Sequence, residues 1–304
     1  MTNDDTFERH RAALFAIAYR MLGSRADAED VLQEAHLRYH GAHASADGPR
    51  SPAAWLTTVV TRLSIDHLKS ARARRESYVG PWLPEPIVAD AIEPSRDADH
   101  TLQLADSLST AFMVLLERLS PTERAVFLLK EVFDYDYARI AEVVDKTPSN
   151  CRQIARRARL RLGTERTRFD ADEAQHRALL TRFVAAAASG EVEAFTELLA
   201  EDAELWADGG GKDESLSGVR AVRRPVVGRR AVSQLMAAVL ARHGERVRPR
   251  VATINGQPGV LVLAEGKLHA VITLGIADGA IAAVYLLKNP DKLPRQALVS
   301  KATQ

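Results

Sequence analysis

SPTERAVFLLKEVFDYDYARIAEVVDKTPSNCRQIARRARLRL, residues 120–162, decides how the chain is read. Ser120, Pro121 and Glu123 form the signature of a capping box with proline in the first turn, so a helix is expected from there to about Phe133. A second short helix carries Ile140, Ala141, Val143 and Val144 as its apolar face. A tight turn, Asp145-Lys146, follows. Thr147 then caps a third helix that Pro148 opens. In that helix Cys151, Ile154, Ala155, Ala158 and Leu162 recur at spacings of three and four, so they share a buried face. The opposite face carries Ser149, Asn150, Arg152, Gln153, Arg156, Arg157 and Arg159. This is the pattern of a helix-turn-helix whose last helix enters the major groove. Asn and Gln suit adenine, and Arg suits guanine or phosphate. From Lys146 to Arg168 the chain has eight Lys or Arg and one acid, Glu165. A face that is merely solvated usually mixes signs.

The rest of the composition sets bounds. A length of 304 residues suits two domains or three small ones, and 46% hydrophobic residues supply their cores. The net charge of +1 hides the basic segment inside a balanced chain. The single cysteine, Cys151, excludes an intramolecular disulfide framework and a cysteine-based zinc site. Its place on an apolar helix face points to burial. The polar N-terminus is no signal peptide, and no apolar run approaches a membrane span, so a soluble cytoplasmic protein is expected.

Residues 1–75 read as a helical block. One amphipathic helix ends at Gly23, a second starts at Ser24 and runs from Asp27 to about His40, and a third runs from Pro52 to about Arg75. Residues 76–100 form a proline-rich linker, and its WLPEP segment (Trp82 to Pro86) is apolar enough to dock on a neighbour. Residues 101–168 form the second helical block, which ends in the helix-turn-helix. From 169 to 304 the pattern changes. Helices at 172–189 and 191–200 lead into a short strand at Ala203–Trp206, a helix spans about 229–242, and strands follow at 247–254, 259–264, 268–276 and 280–288. Asn255-Gly256, Glu265-Gly266 and Asp278-Gly279 are hairpin turns. Helices followed by a meander indicate an α+β domain with a curved antiparallel sheet. The fold class is therefore multidomain, two all-α domains plus one α+β domain.

Three further features bear on function. The helix over 52–75 has a core stripe of Leu56, Val59, Val60, Leu63 and Leu68. A second stripe, Trp55, Thr58, Arg62, Ile65, Lys69 and Arg72, mixes an aromatic with cations, which suits contact with single-stranded DNA and equally a polar helix end with a core Trp. The helix over 27–40 carries Asp27, Glu29, Asp30, Gln33 and Glu34, which serve either the helix dipole or a partner. In the last domain, the loop Asp208, Gly209, Gly210, Gly211 and Lys212 permits close backbone approach. Asn289, Pro290, Asp291, Lys292 and Leu293 close the last strand. These two segments are expected to form one contact surface, against the helical regions or the linker near Trp82. Asp208 or Asp291 could pair there with an arginine of the helical regions. No catalytic or metal-ligating set is legible. Glu204, Asp208 and His269 come nearest to an acid–base group, and an ordinary structural role is favoured for each.

The quoted segments resemble an extracytoplasmic-function sigma factor. FERHRAALFAIAYRMLGSRADAEDVLQEAHLRYH (7–40) and SPAAWLTTVVTRLSIDHLKSARARR (51–75) look like sigma region 2, and 119–162 looks like region 4. The last domain is similar to SnoaL-like, NTF2-like cones, and WLPEP, DGGGK and NPDKL together resemble the sigma-J-like subgroup. The resemblance implies a non-enzymatic subunit that directs core RNA polymerase to −35 and −10 promoter elements. Helix 148–162 would read the −35 element, and the stripe on helix 52–75 would open and hold the −10 element. Helix 27–40 would grip the coiled coil of the largest polymerase subunit, and the polymerase flap is a further expected contact. The fused domain would modulate activity in cis. A small-molecule ligand in its pocket, making the chain a ligand sensor, and a bifunctional SnoaL-like enzyme are the alternatives. No cofactor is implied. Two positions depart from the family pattern: His36 stands where Trp is common, and Asp145 replaces the turn glycine.

Overall fold

The computed structural model describes residues 3–43, 49, 51–75, 78, 80–89, 109–163, 172–211 and 224–294. They divide into two units. The first takes in Met1–Ser77 and Leu115–Gly163, and the second Tyr78–Ser95, Leu108–Val114 and Thr164–Gln304.

The first unit begins with α1 (Asn3–Leu22), α2 (Arg25–His43) and α3 (Pro52–Arg75). Gly23 ends α1 with φ at 67°, a conformation that costs glycine little. Ser24 then caps α2 by accepting from the Asp27 amide at 3.2 Å. Helix α4 (Thr110–Leu116) starts in the second unit and ends in the first, where α5 (Pro121–Glu131), α6 (Tyr137–Val144) and α7 (Pro148–Leu162) follow. Arg124 of α5 is buried. It donates to the Met21 carbonyl at 2.7 Å and pairs with Glu117 at 2.9 Å, so a charge that would be costly alone is compensated on both sides. Arg20 is also buried. It lies 5.4 Å above the Phe133 ring, and burial lowers its guanidinium to about 10.

The core stripe of α3 differs from the expected one. Leu56, Val60 and Leu68 are buried, but Val59 and Leu63 are only partly so. Thr57, Thr61, Ser64 and Ile65 complete the buried face. Small hydroxyl residues let helices approach closely, and the Ser64 hydroxyl satisfies itself on the Val60 carbonyl at 2.8 Å. Ile65 therefore belongs to the core and not to the cationic stripe.

The second unit contains α8 (Glu173–Ser189), α9 (Val192–Thr196), β1 (Leu199–Asp208), β2 (Val226–Val227), α10 (Arg229–His243), β3 (Arg248–Ile254), β4 (Gln257–Ala264), β5 (Lys267–Ala277) and β6 (Ala280–Leu287). The helix expected over 191–200 stops at Thr196, and Ala203–Trp206 is the middle of a ten-residue strand. The sheet order is β2-β1-β6-β5-β4-β3. The meander β3 to β6 is antiparallel, whereas β1 runs parallel to β6, so the sheet is mixed. The three hairpins turn on paired positive φ values at Asn255-Gly256, Glu265-Gly266 and Asp278-Gly279, which match the right-handed twist of the strands.

Alternation along the strands sorts apolar side chains to two faces. Leu205, Val260, Leu274, Ile276 and Val284 pack against α8, α9 and α10 through Leu180, Phe183, Phe195, Val232 and Met236. Ala252, Ile254, Leu261, Val271, Ala283, Tyr285 and Leu287 face the other way. There the linker and the first turn of α4 cover them, through Leu83, Val88, Ala111 and Val114. Among the described residues no helix is long and apolar enough to cross a membrane.

Candidate nucleic-acid interface

Helix α7 is set by local signals. The Ser120 box is complete, with the Ser120 hydroxyl and amide both bonded to Glu123. Asp136 caps α6 by accepting from the Arg139 amide at 2.7 Å. Asp145 takes the left-handed turn position at φ 53°, so Asp does there what glycine commonly does. Thr147 accepts from the Asn150 amide at 3.2 Å and starts α7. Cys151, Ile154 and Ala155 then pack on Val126, Leu129, Ile140 and Val143. Burial pushes the Cys151 thiol up, which leaves it protonated and unreactive.

The outer face of α7 presents Ser149, Asn150, Arg152, Gln153, Arg156 and Arg157, all exposed. The Arg152 guanidinium lies 5.5 Å from the Tyr137 ring centre. Arg159 is not part of the presented set. Glu131 of α5 holds it at 2.6 and 3.0 Å. Arg161 is likewise paired with Glu123 at 2.8 Å. Burial raises the Glu123 carboxyl, but its bonds to Ser120 and the nearby Arg161 and Arg157 outweigh this and hold it below its ordinary value. The basic helix thus ties Arg159 and Arg161 to α5 and presents the six residues before them.

The α3 stripe is engaged differently. Trp55 is half-buried, 5.9 Å from the Tyr39 ring. Lys69 is exposed beside Asp66 at 3.0 Å. The Arg72 side chain lies outside the described residues. Arg62 donates to the carbonyls of Val143 at 2.9 Å and Glu142 at 2.8 Å, both on α6. Arg139 reaches back from α6 to the Thr58 hydroxyl at 3.0 Å and to the Ala54 carbonyl. Arg62, Arg139, Thr58 and Ala54, with Arg38, Trp55 and Val59, line a cleft of about 470 Å³.

On α2, Asp27 faces His67 at 3.6 Å and Glu29 pairs with Arg11 at 2.5 Å, so both are taken within the unit. Asp30, Gln33 and Glu34 are exposed, and Glu34 pairs with Arg38 at 2.7 Å. Leu37 beside them is 68% exposed, which extends the stripe with an apolar group. His36 is stacked on Phe7 at 4.3 Å and bonded to His40 at 2.9 Å between the two Nε2 atoms.

In the second unit Asp208 is fully buried at the end of β1. Its carboxylate accepts from the Tyr78 hydroxyl, the Leu83 amide at 2.8 Å, the Gly210 amide at 3.0 Å and the Lys292 ammonium at 2.7 Å. Lys292 also donates to the Leu83 carbonyl at 2.7 Å and lies 4.3 Å from the Trp82 ring centre. The pairing partner of Asp208 is therefore a lysine of its own domain, not an arginine of the helical regions. Burial, and then the bond to Asp208, push the Tyr78 phenol above its ordinary value, so it stays a donor. Asn289 donates to the Tyr78 hydroxyl at 3.0 Å and accepts from the Asp291 amide at 3.0 Å. Gly210 sits at φ 67°, and a Cβ there would meet the Asn289 side chain at 2.6 Å, so the loop needs glycine at this position. Gly209 is half-buried, Gly211, Pro290 and Asp291 are exposed, and Leu293 packs on the linker-covered sheet face. Lys212 lies outside the described residues.

Two participants are absent from the sequence reading. Asn255 accepts from the Ile87 amide at 2.7 Å, donates its own amide to the Ile87 carbonyl at 2.8 Å and its side-chain amide to Thr110 at 3.3 Å. Its sequence signal reports a turn and no partner. Tyr78 has no signal beyond being an aromatic in a linker. Glu204, by contrast, accepts from Trp206 at 2.7 Å while Asp208 holds the linker, so these two carboxylates do not meet. Among the described residues no group of three or more His, Cys, Asp or Glu is placed to hold a metal ion.

Residues 6–74 match the Sigma-70 region 2 family, and residues 109–162 match Sigma-70, region 4. The chain is 34% identical over 310 residues to the ECF RNA polymerase sigma factor SigJ of Mycobacterium tuberculosis, covering 98% of this chain and 95% of that protein. It is 33% identical over 291 residues to a probable ECF RNA polymerase sigma factor, SigI, of the same species, covering 93% and 92%. The crystal structure of M. tuberculosis SigJ matches with a TM-score of 0.75 at 32% identity, over 95% of this chain and 97% of that one.

Proposed function

The chain belongs to the extracytoplasmic-function RNA polymerase sigma factors, and from that premise we propose how its residues divide the work. A sigma factor binds core RNA polymerase and directs it to promoter DNA. In our reading Ser149, Asn150, Arg152, Gln153, Arg156 and Arg157 of α7 read the −35 element. Trp55, Thr58, Arg62, Lys69 and Arg72 of α3 hold the separated −10 strand. Asp30, Gln33, Glu34 and Leu37 of α2 bind the polymerase coiled coil, with Asp27 and Glu29 supporting the helix from within. The factor works in the cytoplasm by binding, without chemistry of its own. The observation that carries this reading is the presented face of α7. Six polar and cationic residues at the N-terminal end of a capped helix face solvent, while both later arginines are tied to α5.

We further propose that the C-terminal domain acts in cis by anchoring the segment that joins the two sigma regions. Asp208, Lys292, Asn289 and Asn255 hold Tyr78, Leu83 and Ile87, and the open sheet face takes Leu83 and Val88. Chain from the same molecule thus covers a face that a ligand or a second copy would otherwise find apolar. This favours an anchoring role over a ligand-sensing one. The test is run-off transcription with core polymerase. The full chain should support promoter-specific transcripts. Arg152→Ala with Arg156→Ala should abolish −35 dependence, and replacing the Asp208 and Asn255 contacts should change transcript yield while leaving the first unit folded. Unaltered promoter preference in the α7 variant would refute the assignment of that helix.

A further inference from the structure

The cationic stripe of α3 is closed by α6 of the same chain. A helix leaves its last carbonyls without intrahelical donors, and they form the negative end of its dipole. In α6 the Ala141 carbonyl is met by the amides of Asp145 and Lys146. The next two carbonyls, Glu142 and Val143, are met by the guanidinium of Arg62. Arg139 crosses in the other direction, from α6 to the Thr58 hydroxyl and the Ala54 carbonyl on α3. The Glu142 carboxylate steadies it at 2.6 Å. One arginine of each helix thus caps or clasps the other helix.

We propose that this crossed pair is a latch, and that single-stranded DNA and α6 compete for the same face of α3. The proposal rests on assigning Thr58 and Arg62 to the −10 strand. While α6 is seated, Arg62 and Thr58 are both occupied, so the strand and α6 exclude each other. One of the bonds is exposed and the others are only part-buried, so each contributes modestly because water offers an alternative. The closed state is therefore favoured but reversible. A phosphate carries a full negative charge and two oxygens that a guanidinium grips together, whereas a backbone carbonyl carries only a partial charge. DNA can thus win Arg62 from α6. Arg139 is not assigned to the strand, and its bonds to Thr58 and Ala54 hold the latch shut.

The experiment uses the full chain, with spin labels at the exposed positions 66 and 146 to report the separation of α3 from α6. Anisotropy measures binding of a mixed-sequence single-stranded DNA of about 12 nucleotides, within the usual site size for such surfaces. Arg139→Ala should lengthen the label distance and tighten DNA binding about tenfold, the effect of losing charge-assisted bonds on the closed side. Glu142→Ala, whose carboxylate pairs with Arg139, should shift both readouts the same way by less. Saturating DNA should lengthen the distance in the unaltered chain. A distance unchanged by Arg139→Ala and by DNA would overturn the latch, even if Arg62→Ala weakens DNA binding and so upholds the −10 assignment. If Arg62→Ala leaves DNA binding intact in the Arg139→Ala background, the −10 assignment falls, and the competition falls with it.

Discussion

Each unit contains a polar contact that ties segments far apart in sequence at a functional region, and the two contacts differ in burial. In the second unit the linker is tied to Asp208 and Lys292, whose side chains are 0% and 11% exposed. In the first unit α3 is tied to α6 through Arg62, which is exposed, and Arg139, which is 25% exposed. A buried ion pair cannot be opened without stranding a charge, whereas a surface contact exchanges its partners for water or phosphate. The same chemistry, a cation on backbone and carboxylate oxygens, makes a permanent anchor in one place and a releasable clasp in the other. Helix α7 supplies the reference state, because among the described residues Arg152, Arg156 and Arg157 form no ion pair.

The largest effect belongs to the anchor. Asp208→Ala removes the carboxylate from the largely buried Lys292 ammonium and the Leu83 amide, so it should destabilise the second unit by about 3–5 kcal/mol. Urea unfolding followed by tryptophan fluorescence checks this, and a change below 1 kcal/mol would place the contact in the releasable class. Next come the presented arginines. Arg156→Ala should cost about 1–3 kcal/mol in −35 binding by the polymerase complex if it meets a base, with altered sequence preference. A uniform loss with a shallower salt dependence would make it a phosphate contact. Arg152 is intermediate, resting on Tyr137. Tyr137→Leu should therefore loosen −35 preference by about 0.5–1 kcal/mol, while Tyr137→Phe, which keeps the ring, should not.

The smallest effect separates the units by pH. His176 of α8 is buried, and burial lowers its imidazole below the ordinary value of 6.5. The unfolded chain takes up a proton near that value and the folded one does not, so the second unit should lose stability as pH falls below about 6.5. His176→Gln should flatten that dependence. The latch is made of guanidinium groups, backbone carbonyls, a hydroxyl and the Glu142 carboxylate, with no imidazole among them, so the separation of α3 from α6 should stay constant through the same window.

Much of the fold was legible because its signals are local. Ser120, Thr147 and Pro148 place helix starts, Asp145 places a turn, and three Xaa-Gly pairs place hairpins. Each acts through neighbours within a few residues. The buried face of α3 was misread because hydrophobicity alone marks cores poorly where Thr57, Thr61 and Ser64 let helices close together. The site was legible as composition and not as state. Arg62 bonds a carbonyl 81 positions away and Asp208 an amide 125 positions away, distances over which no spacing rule operates. Asn255 shows the limit most clearly. Its positive φ followed from the residue type in the turn, while its bonds to Ile87 depend on where the linker lies.

The claim that one contact is permanent and the other must open is tested most directly by tying each shut. Cysteines placed at 88 and 254, buried and paired across the linker bridge, can form a disulfide as the chain folds under oxidising conditions, and cysteines at 54 and 139, which meet across the latch, can be joined by a short thiol-reactive cross-linker. Cys151 is buried and leaves little background. Run-off transcription with core polymerase then compares each linked chain with the same variant before linking. Transcription should be unchanged when 88 is tied to 254 and lost when 54 is tied to 139. Full transcription from the chain locked at 54 and 139 would contradict it.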